Sequence, residues 1–258
     1  MPVYRTARPT RLAFPLAAFL LAVTTTTLAA QPSRTGLDRL EREIGRLSAL
    51  SGGTVGVGLI HLESGRELFV NRDVRFPMAS TFKVPVAVQF LSKVEKGQAS
   101  LDSMVTLAPS DLHPGSGTLT SLFDDPGVSL SYRNLMELML LISDNSATDL
   151  VLKASGGGTA VNARLATLGV QGISVDRPTI ELIADAIGVR DLGPEAQWSL
   201  KAFAEKSRAV TDAERESART AFYRDPRDTA TPEGMSRLLE KIWRREALSE
   251  AHSALLLD

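Results

Sequence analysis

The stretch from Val84 to Leu91 is almost continuously apolar, and it is entered through Met78-Ala79-Ser80-Thr81-Phe82-Lys83. A helix that is apolar on every side has to be surrounded by the rest of the chain, so this segment reads as buried. Pro85 is tolerated only in a first turn, where its missing amide would have had no intrahelical acceptor, so the helix begins near Ser80. Three residues of separation then put Ser80 and Lys83 on one face about a turn apart, a hydroxyl beside an amine. A bare S-x-x-K has two fixed letters, and its ordinary reading is a first-turn polar residue and a solvated lysine. Its surroundings have to decide between that and a nucleophile beside its base.

A chain of 258 residues can form one large domain or two small ones. A formal net charge of -1, with 43% hydrophobic and 23% charged residues, describes an ordinary globular composition. Acidic and basic residues are interspersed, as in Glu41-Arg42-Glu43, so the basic footprint of a nucleic-acid-binding protein is absent. The first thirty residues differ. Arg5, Arg8 and Arg11 precede the apolar run Leu12 to Val23, and small residues lead to Ala29-Ala30: the pattern of a secretory signal peptide over residues 1–30, too short for a membrane span. This predicts a periplasmic or secreted protein with no membrane attachment after signal removal. No cysteine is present, so packing rather than disulfides must hold the fold.

Along the chain, Leu37, Leu40, Ile44, Leu47 and Leu50 recur at helical spacing over 35–50. Val55 to Ile60 and Glu67 to Val70, joined through Glu63-Ser64-Gly65-Arg66, predict a hairpin. The segment from Leu107 to Pro126 reads as irregular, with His113-Pro114-Gly115-Ser116-Gly117 as loop punctuation. His113 stands alone, without a second ligand at metal spacing, and is expected at the surface or a pocket rim. Leu130 to Ile142 returns to helix, and Ser143-Asp144-Asn145 is a turn of small polar residues suited to capping the next one. Ile180 to Ile187 and Ala196 to Ala209 read as helices, followed by a polar stretch from Thr211 to Arg219. Thr231-Pro232-Glu233 is a helix start, with Met235, Leu238, Leu239, Ile242 and Trp243 as the buried face.

Ser80-Thr81-Phe82-Lys83 and Ser143-Asp144-Asn145, in that order and each at the mouth of an apolar helix, resemble the first two signatures of the penicillin-recognising serine enzymes. Arg227-Asp228-Thr229-Ala230-Thr231-Pro232 is similar to the stretch that follows the omega loop in class A β-lactamases. The resemblance implies an α/β, β-lactamase/transpeptidase-like fold: a helical domain plus an antiparallel-sheet α/β domain over residues 31–258. It implies β-lactam hydrolysis through a serine acyl-enzyme, and with it a role in antibiotic resistance. Ser80 would be the nucleophile and Lys83, desolvated among apolar neighbours, its base. Ser143 would relay a proton to the leaving nitrogen, Asn145 would hydrogen-bond the substrate, and Asp144 would be structural. The substrate would be a small-molecule β-lactam or a peptidoglycan-like compound, the protein a monomer, with neither metal nor organic cofactor.

Two departures leave alternatives open. If Arg177 opens the omega loop, Thr179 stands where the family has the glutamate that activates the deacylating water. Glu181, two residues on, is the possible substitute, although the helix dipole alone would account for a first-turn glutamate. The segment 177–228 is also much longer than the family's loop. The family's third signature, Lys-Thr-Gly, is expected on a strand after the helix following Ser249 and is not found up to Asp258, which predicts an α/β domain incomplete at its C-terminal end. A D,D-peptidase or esterase relative, or a non-catalytic penicilloyl-binding or inactive fragment, therefore stands beside the lactamase reading.

Overall fold

The apolar run beginning at Val84 forms the spine of the molecule. In the computed structural model, which describes residues 34–257, a 3-10 turn over Ala79–Phe82 runs into a helix over Lys83–Glu95. The expected signal peptide lies outside the described residues. In chain order the elements are α1 (Arg34–Leu50), β1 (Val57–His61), β2 (Arg66–Val70), β3 (Phe76–Pro77), α2 (Lys83–Glu95), β4 (Met104–Thr106), α3 (Leu119–Leu122), β5 (Ser129–Ser131), α4 (Tyr132–Leu141), α5 (Asn145–Ser155), α6 (Gly157–Thr167), α7 (Thr179–Ile187), α8 (Leu200–Ala209), α9 (Asp212–Phe222), β6 (Thr229–Ala230), α10 (Pro232–Trp243) and α11 (Glu250–Leu257).

Helices α4, α5 and α6 surround α2. Val86, Phe90 and Leu91 of α2, Leu135 of α4, Val151 of α5 and Val161 of α6 are fully enclosed. Each side chain of this size contributes about 1.5–3 kcal/mol when removed from water. Pro85 is the third residue of α2, where the first-turn argument tolerates it.

The described strands form three antiparallel pairs, β1–β2, β3–β6 and β4–β5. The predicted hairpin is present, with Val57 opposite Val70 and His61 opposite Arg66. Helix α10 lies against β1 because Gly58 carries no side chain: a Cβ there would come within 2.6 Å of the Pro232 carbonyl oxygen. Thr231 caps α10 as expected, its Oγ1 accepting from the Gly234 amide at 2.9 Å. The buried face is narrower than predicted. Leu238 and Ile242 are buried, whereas Leu239 and Trp243 are exposed, since positions i+1 and i+5 from Leu238 turn off the stripe that positions i and i+4 define. The apolar face of α1 is also largely exposed at Leu40, Leu47 and Leu50.

Helix α7 packs on α9, and Ile180, Ala184, Val189 and Phe203 make a second, smaller core distinct from that around α2. The polar stretch from Thr211 onward is itself α9. A reciprocal capping box starts it, with Thr211 Oγ1 accepting from the Glu214 amide and the Glu214 carboxylate accepting from the Thr211 amide. Ala218 is its buried residue, so apolar periodicity carries no signal for it.

Candidate active site

Two strained turns aim the polar side chains of the cleft. Ala79 has φ of 45° and Ser143 of 61°, both in the left-handed region that a side chain ordinarily avoids. The first is held from outside by the β3–β6 pair, which sets Phe76 opposite Ala230 and Pro77 opposite Thr229, and by the Met78 amide donating to the Asp228 carbonyl at 3.0 Å. Ser80 is thereby presented to solvent while Lys83, one turn on, is only 2% exposed.

The ammonium of Lys83 has three donors and three acceptors around it. It donates to the Ser143 carbonyl at 2.6 Å, to Ser143 Oγ at 3.0 Å and to Asn145 Oδ1 at 3.1 Å. Ser143 Oγ in turn donates to Ser80 Oγ at 2.9 Å. A hydrogen-bonded chain thus runs from amine to hydroxyl to hydroxyl, with Ser143 between the other two. Burial brings the Lys83 pKa down to about 8, against the opposing pull of the Asp149 and Asp144 carboxylates.

Asp144 faces away from this chain. Its Oδ1 caps α5 by accepting from the Ala147 amide at 2.9 Å, and Oδ2 accepts from the Thr118 and Leu119 amides at 2.7 and 2.9 Å. The capping reading and the cleft reading of Ser143-Asp144-Asn145 therefore hold together: the middle residue anchors the turn and its neighbours face the cleft. Gly117 makes that anchor possible, with φ of +120° and the Asp144 carboxylate pressed against the place where a Cβ would stand. Gly117→Ala is expected to destabilise the fold by about 1–3 kcal/mol through backbone strain alone. A urea midpoint unchanged from wild type would count against this clamp.

Ser116 reads in the sequence only as loop punctuation, yet it belongs to the site. Its hydroxyl donates to the Ser143 carbonyl at 2.7 Å, and its carbonyl accepts from the Asn145 amide at 2.9 Å. The flanking Gly115 and Gly117 are the available signal, since paired glycines mark close backbone approach. Asn145 completes its bonds by donating from Nδ2 to the Pro114 carbonyl at 2.9 Å.

A cavity of about 480 Å³ opens beside Ser80. Thr179, Leu182, Ile183 and Ala186 of α7 line it, at the three- and four-residue spacing of one helix face. Glu181 falls on a different flank and lines a neighbouring cavity of about 280 Å³ with His113 and Asp149. Glu181, the expected substitute base, is therefore not among the residues that line the cavity beside Ser80, because two residues along a helix from Thr179 turn a side chain toward another flank. Burial and the charge of Asp185 raise its carboxyl pKa.

His113, expected at the surface or a pocket rim, does line the 280 Å³ cavity but is itself buried against Asp149, with Nδ1 to Oδ2 at 2.5 Å and Nε2 to the Ser110 carbonyl at 3.1 Å. Burial opposes its charge, but the hydrogen bond and the charge of Asp149 outweigh it and raise the pKa. Asp149 also accepts from the Thr179 amide and hydroxyl, each at 2.6 Å. Thr179, standing at the expected glutamate position, thus ties α7 to α5. Among the described residues no group of three or more His, Cys, Asp or Glu side chains is placed to hold a metal.

Helices around a buried lysine-bearing helix, with three small antiparallel strand pairs of which β3–β6 holds the serine turn, form an α/β fold of the β-lactamase/transpeptidase type. A model of the Beta-lactamase enzyme family matches residues 39–258. Beta-lactamase L2 of Stenotrophomonas maltophilia is 31% identical over 207 residues, 80% of this chain and 55% of that protein. An ancestral (GNCA) class A β-lactamase structure overlays with a TM-score of 0.63 at 28% identity, covering 85% of this chain and 69% of that one. A point mutant of PBP-A, solved as an acyl-enzyme complex with penicillin-G, gives 0.64 at 25% identity, covering 86% and 68%. The chain belongs to the class A β-lactamase family of penicillin-recognising serine hydrolases. It spans about half the length of the L2 relative.

Proposed function

We propose that the protein opens β-lactams through an acyl-enzyme on Ser80 and hydrolyses that intermediate. The observation that carries this reading is the chain of hydrogen bonds from Lys83 through Ser143 to Ser80. With Lys83 protonated, the bonds run toward Ser80. Once Lys83 is neutral, the Ser143 carbonyl and Asn145 Oδ1 retain its two N–H groups, and its lone pair accepts from Ser143. Ser143 then accepts from Ser80, so the Ser80 proton has a path to the amine. Ser80 Oγ bonds to the lactam carbonyl carbon, and the C–N bond breaks. The proton returns from Lys83 through Ser143 to the leaving nitrogen. The Ser80 amide, at the start of the helical turn, supplies one donor to the developing oxyanion. In the second step water adds to the ester carbonyl, the carbon–Oγ bond breaks and Ser80 regains its proton.

The same cavity favours a slow second step, nearer the behaviour of a D,D-peptidase. Thr179 spends its hydroxyl on Asp149. Asp228, also on the cavity wall, has Oδ1 accepting from the Asp176 and Arg177 amides and Oδ2 from Arg177 Nε. Neither offers a free base to a water. Residues 31–258 would act as one domain, exported to the periplasm or beyond and working as a monomer on a β-lactam or peptidoglycan-like substrate. Incubation with a fluorescent penicillin is expected to leave a stoichiometric adduct that peptide mapping places on Ser80, with nitrocefin turned over slowly. An adduct on any other residue, or none, refutes the nucleophile assignment.

A further inference from the structure

The 480 Å³ cavity beside Ser80 is large enough for a drug-sized group, and its far wall is built by the long segment 177–228. Leu182 and Ile183 of α7 face it, with Phe222 and Tyr223 from the end of α9. Leu182 and Ile183 are half-buried and Tyr223 is 69% exposed. Phe222 and Tyr223 meet edge to face, with ring centroids 6.4 Å apart. The floor adds Phe76 and Phe82. A concavity of this kind is an unfavourable surface for water, and transfer of an apolar group into it is favourable.

Its position relative to the proton path tells which part of a substrate would enter. Ser80 and Asn145 contribute to the cavity wall; Lys83 and Ser143 do not. The lactam nitrogen that takes its proton from Ser143 lies on the Ser143 side of the carbonyl and stays tethered through the opened ring. The α-carbon on the other side of the carbonyl, with the acylamino group it carries, projects toward the cavity. We propose that this compartment selects acyl donors carrying an extended apolar acyl side chain, with Leu182, Ile183, Phe222 and Tyr223 as the residues that set the preference. The inference rests on Ser80 being the acylated residue. An acyl chain seated there also occupies the space from which water would approach the ester, so the preferred substrates form the longest-lived adducts.

The test uses the full chain and a series of 6-acylaminopenicillanic acids with straight acyl groups from acetyl to octanoyl. The second-order rate of Ser80 acylation is read by intact-protein mass spectrometry. The rate is expected to rise roughly three- to fourfold per methylene until the cavity is filled. Ile183→Asp should bring that factor close to one, and Tyr223→Ser, at an exposed position, should reduce it without a packing defect. A flat series with Ser80 still labelled overturns this inference and leaves the nucleophile assignment intact. A parallel measurement does not need the chemistry: binding of 11-dansylaminoundecanoic acid to the Ser80→Ala chain, followed by fluorescence. Saturable binding that octanamide displaces and Ile183→Asp removes supports the compartment even if no penicillin reacts; absence of saturable binding overturns it.

Discussion

Lys83→Met is expected to lower the rate of Ser80 acylation by roughly 100- to 10,000-fold, the usual contribution of a positioned general base. Methionine preserves most of the buried volume, so the packing of α2 around Val86 and Phe90 is retained. The substitution removes the lone pair at the end of the Lys83–Ser143–Ser80 chain. The pH profile separates this role from a structural one. Since only the neutral amine can take the proton, the wild-type rate should rise with pH and level off above about 8, where burial has set the Lys83 pKa. Lys83→Met should lose that inflection as well as the rate; an inflection that persists would assign the base elsewhere. A stability loss accompanies the change at Asn145 Oδ1, about 1–3 kcal/mol for a buried acceptor that forfeits its ammonium donor, whereas the Ser143 carbonyl keeps the Ser116 hydroxyl. Linkage has a definite sign here. The folded pKa lies below the unfolded value of 10.5, so between about pH 8 and 10.5 the unfolded chain holds more protons and wild-type stability rises with pH.

How much of this is legible in the sequence follows from where each residue's constraint originates. Ser80, Lys83 and the Ser143–Asn145 turn are governed by local rules: helix spacing, a first-turn proline and a cap, all readable in one stretch. Pairing Ser80 with Ser143 across 63 positions needs the family resemblance, because no periodicity connects residues so far apart. The burial of His113 escapes a local reading for the same reason. A lone histidine in a polar loop gives no sign of the Asp149 carboxylate 36 positions away that makes its burial tolerable. Glu181 differs in kind. Distance along the sequence from Arg177 suggests it, whereas the rotation of α7 decides which side chains meet Ser80, and that rotation is fixed by Thr179 bonding to Asp149. Helix α9 buries only Ala218 and packs on α7, so its capping box, rather than an apolar stripe, is the mark it leaves in the sequence.

The second large effect is expected at the neck of the long segment. Arg177, 4% exposed, donates from Nε to Asp228 Oδ2 at 2.6 Å, from Nη1 to Asp225 Oδ2 at 3.1 Å, and to Asp185. Asp228 is 4% exposed and sits at φ of 52°, a strained conformation that its bonds to the Asp176 and Arg177 amides hold in place. Removing the guanidinium leaves the Asp228 carboxylate buried beside two others, a loss of about 3–5 kcal/mol for a broken buried pair. Arg177→Lys should rescue little, since one ammonium cannot reproduce a fork that serves three carboxylates. The Phe222 ring, 5.7 Å from the guanidinium carbon, loses its cation as well. Because α7 and α8 have a small core of their own, the damage should be regional before it is global. In Arg177→Ala, trypsin is expected to cut within 188–224 under conditions where the helices around α2 still resist it, and the first urea transition should move to lower concentration. Unchanged cleavage and an unchanged midpoint would mean that the clasp does not hold the segment. If the clasp does hold it, the dependence of Ser80 acylation on acyl-chain length should disappear in the same variant, because Leu182, Ile183, Phe222 and Tyr223 are positioned against Ser80 only while the neck is closed.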